Sequence, residues 1–462
     1  MAAKRQKKAS SKQSPDRKTM NSSKSNKTFG LVLPVGILGI AFAAAFVAQQ
    51  PQHNDASLPI LNSSSRPQPI VELMSADLAS QYEISNPEDI SPYVKYLEGP
   101  PIHQRRDRAM GARFRSFCPF PLTMWWDNGT PEGVYSGFIK PHGDSSTNTY
   151  TSHTFHFRRQ DTGEQVASFT MNDDTFLYII GPLEGDSKTL ESKRYKDTLA
   201  EIQFLKKYHK ENGVPWLSHY PRPPPVVFMY PADFPGQVHK VRSFIGYHDD
   251  NGVQQNTPVD FNITVISAKP KVLLIKNLLS KYEIDHIISK GVKVVKGSMV
   301  GSGANGFASN TRTSENGWIK RKSSEILDKV YYRFGDVLGM TDEQLQDDTR
   351  GGIIENLQFV RYLKDQKYDA HHDFGNTGTI YQRFSTLLIY LMVPEKGGGT
   401  SFPKAFNGQG ISVKPSAGDA VLFYSMLEDG NGDDMSLHSG MPVESGLKYV
   451  CNLWSWDPLR TL

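Results

Sequence analysis

Four β-rich runs near the C-terminus, Asn356–Leu363, Ser385–Val393, Ala420–Ser425 and Leu447–Trp456, are parted by glycine turns at 396–399 and 430–432. Just upstream, Leu278–Val292 and Ser323–Leu338 space their apolar residues three and four apart, the signature of helices that bury one face. Helices followed by a succession of antiparallel strands restrict the architecture to a sheet sandwich or jelly roll backed by helices. The expected fold is therefore mainly β with flanking helices, its C-terminal part a double-stranded β-helix.

A chain of 462 residues has room for roughly two to three domains. Residues 1–28 hold nine Lys/Arg against Asp16, and the remainder is slightly acidic, which argues against a nucleic-acid partner. Phe29–Ala48 is uncharged, mostly apolar and about long enough to cross a bilayer as a helix. With the basic residues on its N-terminal side, the positive-inside rule predicts a type II signal-anchor, the tail cytosolic and the body lumenal. The rival is a cleaved signal ending near Ala43-Ala44-Ala45, but the basic region and apolar core are long for one. Either way the body enters the secretory pathway, and a single-pass protein of the endoplasmic reticulum or Golgi membrane is expected. Asn62, Asn128 and Asn262 stand in glycosylation sequons. The two cysteines, Cys118 and Cys451, define no disulfide framework, and Cys451 falls in an expected core strand.

Residues 49–88 read as a solvated stalk rich in Gln, Ser, Asn and Pro. Residues 89–182 read as a small all-β module, with strand-like runs at Ser152–Phe157, Ala167–Met171 and Thr175–Ile180. Residues 183–267 form a connector: a charged helix over Ser187–Lys210, a proline-rich passage around Pro221–Pro225, and a strand at Phe261–Ser267. Residues 268–460 complete the last domain.

The pattern His-x-Asp places two metal ligands on one side of a strand end, because alternate residues point the same way. It occurs at His53, His142, His248 and His371. The first three read as surface or stalk polar clusters. The fourth, His371-His372-Asp373, follows a strand, and the next histidine in the chain, His438, offers a third ligand from a later strand. Two His and one carboxylate are the facial ligand set of non-haem Fe(II) oxygenases. Lys448 then heads the apolar run Tyr449–Trp454, where a lysine aimed into a barrel needs an anionic partner.

From Lys269 to Pro458 the chain resembles the catalytic domain of prolyl 4-hydroxylases of the membrane-anchored plant and algal type. The matching blocks are Arg312-Thr-Ser314, Leu357-Gln-Phe-Val-Arg-Tyr362, Tyr368-Asp-Ala-His-His-Asp373, Arg383-Phe-Ser-Thr-Leu-Leu-Ile-Tyr-Leu391, Gly398-Gly-Thr-Ser-Phe-Pro403, Lys414-Pro-Ser-Ala-Gly-Asp419 and His438-Ser-Gly-Met-Pro-Val443. The resemblance implies an Fe(II)- and 2-oxoglutarate-dependent dioxygenase that converts peptidyl proline to 4-hydroxyproline, releasing succinate and CO2, with ascorbate as reductant. It implies His371, Asp373 and His438 as iron ligands and Lys448 as the partner of 2-oxoglutarate. Tyr362 and Thr400 would bond the same molecule, and Trp454 would wall its pocket. Arg312, Glu355 and Arg383 are expected near the peptide groove, under a Gly/Ser-rich flap at Ser298–Gly317. Ordinary pairing within the domain is the plain alternative for these charges. Trp456 departs from the plant pattern, which often has His there.

Trp125–Gly163 resembles the β domain of the von Hippel-Lindau protein. The resemblance implies a hydroxyproline pocket made by Tyr135, Thr149, His153 and Phe155; the plain alternative is a structural sandwich. Expected partners are proline-rich or hydroxyproline-rich secretory polypeptides. Competing readings are hydroxylation of another side chain such as lysine, or a catalytically silent tethered receptor for proline-rich peptides.

Overall fold

The computed structural model describes residues 70–73, 94–98, 109–172, 174–297, 311–346, 352–374, 382–406 and 408–457. All belong to one unit, Ser63–Leu462. The basic tail, the Phe29–Ala48 span, most of the stalk, Asn62 and the flap residues 298–310 lie outside the described residues. Among the described residues no helix is long and apolar enough to cross a membrane.

The expected β module forms two small sheets. Strands β1 (Ala109–Ser116), β2 (Leu122–Trp126), β3 (Val134–Ile139), β4 (Asp144–Tyr150), β5 (Thr154–Arg159), β6 (Gln165–Thr170) and β7 (Leu177–Ile180) follow in chain order. One sheet has the order β4-β1-β7, the other β3-β2-β5-β6. Alternation on β2 and β5 sends Leu122, Met124, Phe155 and Phe157 inward, where they meet Phe114, Ile139, Tyr178 and Ile180. Cys118 belongs to this core, while Cys451 is buried far along the chain in the large sheet; both are free.

The charged connector folds as α1 (Ser187–Glu191) and α2 (Lys193–Asn212), divided at Ser192, whose extended backbone lets its hydroxyl cap α2. Helix α2 joins the module through Glu201, which takes Arg113 at 3.0 Å and Arg115 at 2.7 Å. Its other end reaches the last domain. Tyr208 donates to Asp429 at 2.6 Å. Asn431, fully buried, accepts from the Leu217 and Ser218 amides and donates to the Pro215 carbonyl and Tyr208. A buried Arg222–Asp457 ion pair adds a third tie. The segment that periodicity identified only as a charged helix is the brace between module and catalytic half.

Strands β8 (Val238–Ser243), β9 (Val259–Ser267) and β10 (Val272–Ile275), helix α3 (Lys281–Gly291), strand β11 (Glu315–Ile319) and helix α4 (Glu325–Leu338) come next. Both expected helices start two or three residues late, at the Ser280 capping box with Glu283 and at the Ser324 cap. Then follow β12 (Leu357–Tyr362), β13 (Tyr368–His371), β14 (Arg383–Met392), β15 (Thr400–Phe402), β16 (Ile411–Val413), β17 (Ala420–Tyr424), β18 (His438–Gly440) and β19 (Lys448–Trp456). The ten-stranded sheet runs Ile70–Leu73, β8, β9, β10, β17, β14, β19, β12, β11 and 296–297; the facing sheet runs β13, β18, β15, β16 and Val94–Tyr96. Two expected boundaries therefore shift. Ile70–Leu73, inside the expected stalk, pairs with β8, and Val94–Tyr96, inside the expected module, pairs with β16. Runs of three or four residues carry too little pattern to be assigned to a distant sheet edge.

Alternation divides the large sheet into two working faces. Leu387, Ile389 and Leu391 of β14, with Cys451 and Leu453 of β19, pack with Leu327, Val330 and Phe334 of α4. Leu388, Tyr390 and Val450 face the other way, toward Phe402, Ile411 and Val413 of the small sheet. The jelly-roll interior is this second space, and the functional groups open from it. Behind the helical face, buried Arg333 holds Glu283 at 2.7 Å and donates to the carbonyls of Ile245, Gly246 and Leu278, while His248 meets the same Glu283 at 2.8 Å. His142-Gly-Asp144 is a surface cluster as expected, with Asp144 pairing with Arg115 and Arg194, whereas His248, expected at the surface, is buried because it bonds the buried Glu283.

Candidate active site

Strands β13 and β18 are antiparallel neighbours, and their register puts His371 directly opposite His438. Asp373, two residues beyond His371, closes the group, so that one ligand atom from each lies within 4.8 Å of the others. Each imidazole is oriented from behind. His371 Nδ1 donates to the Asp369 carbonyl at 2.8 Å and His438 Nδ1 to the Ser436 carbonyl at 2.9 Å. Both Nε2 lone pairs therefore face the carboxylate, each 3.6 Å from an Asp373 oxygen. Tyr368 stacks on the His371 ring at 3.6 Å, and Phe423 lies 4.6 Å from that of His438.

The electrostatics suit a dication. Burial lowers His438 to about 4, so the ring is neutral at physiological pH and has its lone pair available. Burial would push Asp373 up, but His438, His371 and Arg383 hold it well below the ordinary carboxylate range. Two imidazoles with Nε2 turned inward and one carboxylate, with no fourth His, Cys, Asp or Glu joining them among the described residues, fit a metal that keeps open positions for other ligands.

Asp373 is itself held from the large sheet. Thr386 and Trp454 are cross-strand partners on β14 and β19. The Thr386 hydroxyl donates to Asp373 Oδ2 at 2.7 Å, and the Trp454 indole N–H donates to the same oxygen at 3.0 Å. Trp454 was expected to wall the co-substrate pocket; its placed contact is this hydrogen bond.

Lys448 heads β19 opposite Tyr362 of β12 and is buried. Its ammonium lies 5.2 Å from the Tyr362 ring and 5.4 Å from the Tyr390 ring. No carboxylate pairs with it among the described residues, and burial, with some repulsion from Lys414, lowers it to about 7. Tyr390 also shares a 2.6 Å hydrogen bond with Thr400. A buried lysine beside Tyr362 and Tyr390, with Tyr390 bonded to Thr400, fits the distal carboxylate of 2-oxoglutarate.

The three residues expected near the peptide are engaged as the plain alternative foresaw. Arg383 grips Glu355 at 2.8 and 3.2 Å and lies 3.6 Å over the Trp454 ring, with Trp456 at 5.7 Å. Arg312 sits 4.5 Å over the Tyr368 ring. Each arginine is thus one aromatic ring away from a member of the triad. Thr386, Tyr368 and Tyr390 were not assigned roles from sequence. Period-two alternation from Thr386 through Leu388 to Tyr390 was the available signal, since it puts both polar side chains on the interior face.

The four residues of the expected hydroxyproline pocket do not converge. Thr149 and His153 share a 3.0 Å hydrogen bond, and His153 stacks near Trp126. Phe155, however, is buried in the module core, and Tyr135 packs on Trp125. The register sets Trp125 opposite Tyr135 and His156, and Trp126 opposite Phe155, so Tyr135 and Phe155 stand on opposite faces of their sheet. One unit of phase in a two-residue repeat decides this, and motif spacing did not carry it.

A facial His/His/Asp triad inside a jelly roll, with Lys448 the one buried lysine among the described residues, defines an iron- and 2-oxoglutarate-dependent oxygenase. In agreement, residues 357–456 match the 2OG-Fe(II) oxygenase superfamily. The chain is 31% identical over 223 residues to prolyl 4-hydroxylase 2 of Arabidopsis thaliana, covering 42% of this chain and 72% of that one. It is 33% identical over 211 residues to probable prolyl 4-hydroxylase 3 of the same plant, covering 41% and 70%. Among solved structures, the viral collagen prolyl hydroxylase of Paramecium Bursaria Chlorella virus-1 in its 2OG complex is 27% identical, with 40% of this chain and 96% of that chain covered and a TM-score of 0.31. The chain belongs to the prolyl 4-hydroxylase family.

Proposed function

We propose that this protein hydroxylates peptidyl proline at C4, using Fe(II) and 2-oxoglutarate and releasing succinate and CO2, with ascorbate keeping the iron reduced. The observation that carries the reading is the joint presence of the oriented His371/Asp373/His438 triad and the unpaired buried Lys448. The chemistry supplied at the triad by iron and the keto acid is oxidative decarboxylation coupled to insertion of one oxygen into a C–H bond.

The chain's own residues do the rest. His371, Asp373 and His438 hold the metal on one side. Lys448 neutralises the distal carboxylate, and the Tyr390–Thr400 pair presents hydroxyls beside it. Arg312 on Tyr368 and the Glu355–Arg383 pair on Trp454 flank the triad and supply charged, planar surfaces for the backbone of an extended peptide. Interior packing by Phe402, Phe423 and Trp454 keeps bulk water from the reacting centre.

The basic residues 1–28 and the apolar run Phe29–Ala48 support a type II anchor in the endoplasmic reticulum or Golgi membrane, with lumenal substrates from the secretory pathway and the sequons as glycosylation sites.

The test is tandem mass spectrometry of proline-rich peptides after incubation with the full chain, Fe(II), 2-oxoglutarate and ascorbate. One added oxygen at C4 of proline is expected. Oxygen on lysine would replace the substrate assignment, and succinate-free incubation with every peptide would favour the silent receptor.

A further inference from the structure

The two oxygens of the Asp373 carboxylate are held differently from behind. Its Oδ2 accepts two hydrogen bonds, from Thr386 and from the Trp454 indole, and both donors are buried. Because Thr386 and Trp454 are directly paired across β14 and β19, the two donors arrive from the rigid middle of the large sheet. Oδ1 lies 3.6 Å from His371 Nε2 and Oδ2 3.6 Å from His438 Nε2, so what distinguishes the oxygens is that, among the described residues, Oδ2 alone takes hydrogen bonds from the large sheet.

The far face of the same indole carries a different load. Arg383 stacks on it at 3.6 Å and is clamped by both oxygens of Glu355, and Trp318, largely exposed, approaches its ring at 5.8 Å. Trp454 thus has the metal-facing carboxylate at its N–H and the peptide-facing charges on its ring. A guanidinium at this distance is attracted electrostatically to the ring face. Arg383 and Asp373 therefore share Trp454 as a common contact.

Resting on the reading above, we infer that Trp454 and Thr386 are positioning residues that commit Asp373 Oδ1 to the metal, and that Trp454 links occupancy of the Arg383–Glu355 surface to the geometry of that ligand. The consequence is coupling: the keto acid is consumed productively only when the peptide is seated. Loss of the indole N–H frees Oδ2 to rotate toward the metal and compete for a position needed by other ligands.

Trp454→Phe keeps an aromatic face for Arg383 while removing the N–H donor together with part of the indole's bulk; Thr386→Val removes the hydroxyl at nearly constant shape and isolates the loss of a donor. Co(II) and Fe(II) titrations of the full chain, followed by absorption and calorimetry without peptide, read the ligand geometry independently of turnover. Removing a hydrogen bond of this kind to a metal ligand typically lowers affinity 10–100-fold. Both variants are expected to bind metal at least tenfold more weakly, with an altered Co(II) d–d spectrum. Trp454→Phe is further expected to raise succinate formed per hydroxyproline severalfold, with unchanged KM for 2-oxoglutarate. Circular dichroism confirms that the variants fold. Wild-type-like metal affinity, spectrum and succinate-to-hydroxyproline ratio in folded Trp454→Phe would overturn the inference alone. Absence of metal binding by the wild-type chain would instead overturn the functional reading.

Discussion

Replacing Lys448 by Met sets the stability of the empty protein against its affinity for the keto acid. The ammonium is buried beside two tyrosine rings, and burial, with Lys414 nearby, brings its pKa from 10.5 to about 7. At about 1.4 kcal/mol per pH unit, that fall amounts to on the order of 5 kcal/mol of cost for keeping the charge inside. The sign follows from linkage: the unfolded chain holds this proton up to its ordinary value, the folded chain releases it near 7. The cost is thus fully present below about pH 7 and fades as the pH rises toward 10. Met keeps the length and drops the charge, so near pH 6.5 the variant should gain ~2–4 kcal/mol, a Tm increase of at least about 4 °C, with the gain shrinking in alkaline buffer. Its affinity for 2-oxoglutarate should fall on the order of 10²–10³-fold, because a dicarboxylate then loses its buried partner. Above pH 7 the wild type must take up a proton to bind, so its Kd should weaken about tenfold per pH unit. Differential scanning fluorimetry across pH and calorimetry in two buffers of different ionisation enthalpy measure all three. A variant that melts lower than wild type at every pH, or binds 2-oxoglutarate as well, would show that Lys448 is not the buried, unpaired cation described here.

Further expectations follow from the brace and from the buried ion pairs. Asn431→Ala strands the Leu217 amide and the Pro215 carbonyl, costing ~1–3 kcal/mol and exposing the 213–225 passage to limited proteolysis before global unfolding. Arg333→Met leaves Glu283 buried without its bidentate partner and should destabilise by ~3–5 kcal/mol, read by urea denaturation. Burial raises Glu283 but Arg333 and His248 overcome it and lower its pKa, so its stabilisation is present above the ordinary Glu range and lost on acidification; the variant should flatten acid denaturation below about pH 4.5. Thr400→Val removes the partner of Tyr390 and should raise the KM for 2-oxoglutarate severalfold while sparing metal affinity.

Much of the catalytic half was legible because it is written in long patterns. The runs at 356–363 and 447–456 became β12 and β19, and the two amphipathic helices came out within three residues. The triad was legible because a strand end fixes His-x-Asp geometry, and a later histidine and an interior lysine followed in order. What escaped depended on pairing between distant segments. Strands of three residues such as Thr400–Phe402 and His438–Gly440 exist only because neighbours complete them. The Thr386–Trp454 pair on Asp373 needs the β14–β19 register, and the divided pocket of Tyr135 and Phe155 needs the β2–β3 and β2–β5 registers. The role of α2 hinges on Asn431, more than two hundred residues away, a contact that no local periodicity encodes.

The central claim is that His371, Asp373 and His438 bind one ferrous ion as a set. Iron content after anaerobic reconstitution and desalting, measured in parallel on wild type and Asp373→Ala, addresses it directly. About one iron per chain in the wild type and nearly none in the variant is the expected result. Equal iron in both, or none in the wild type, would contradict it.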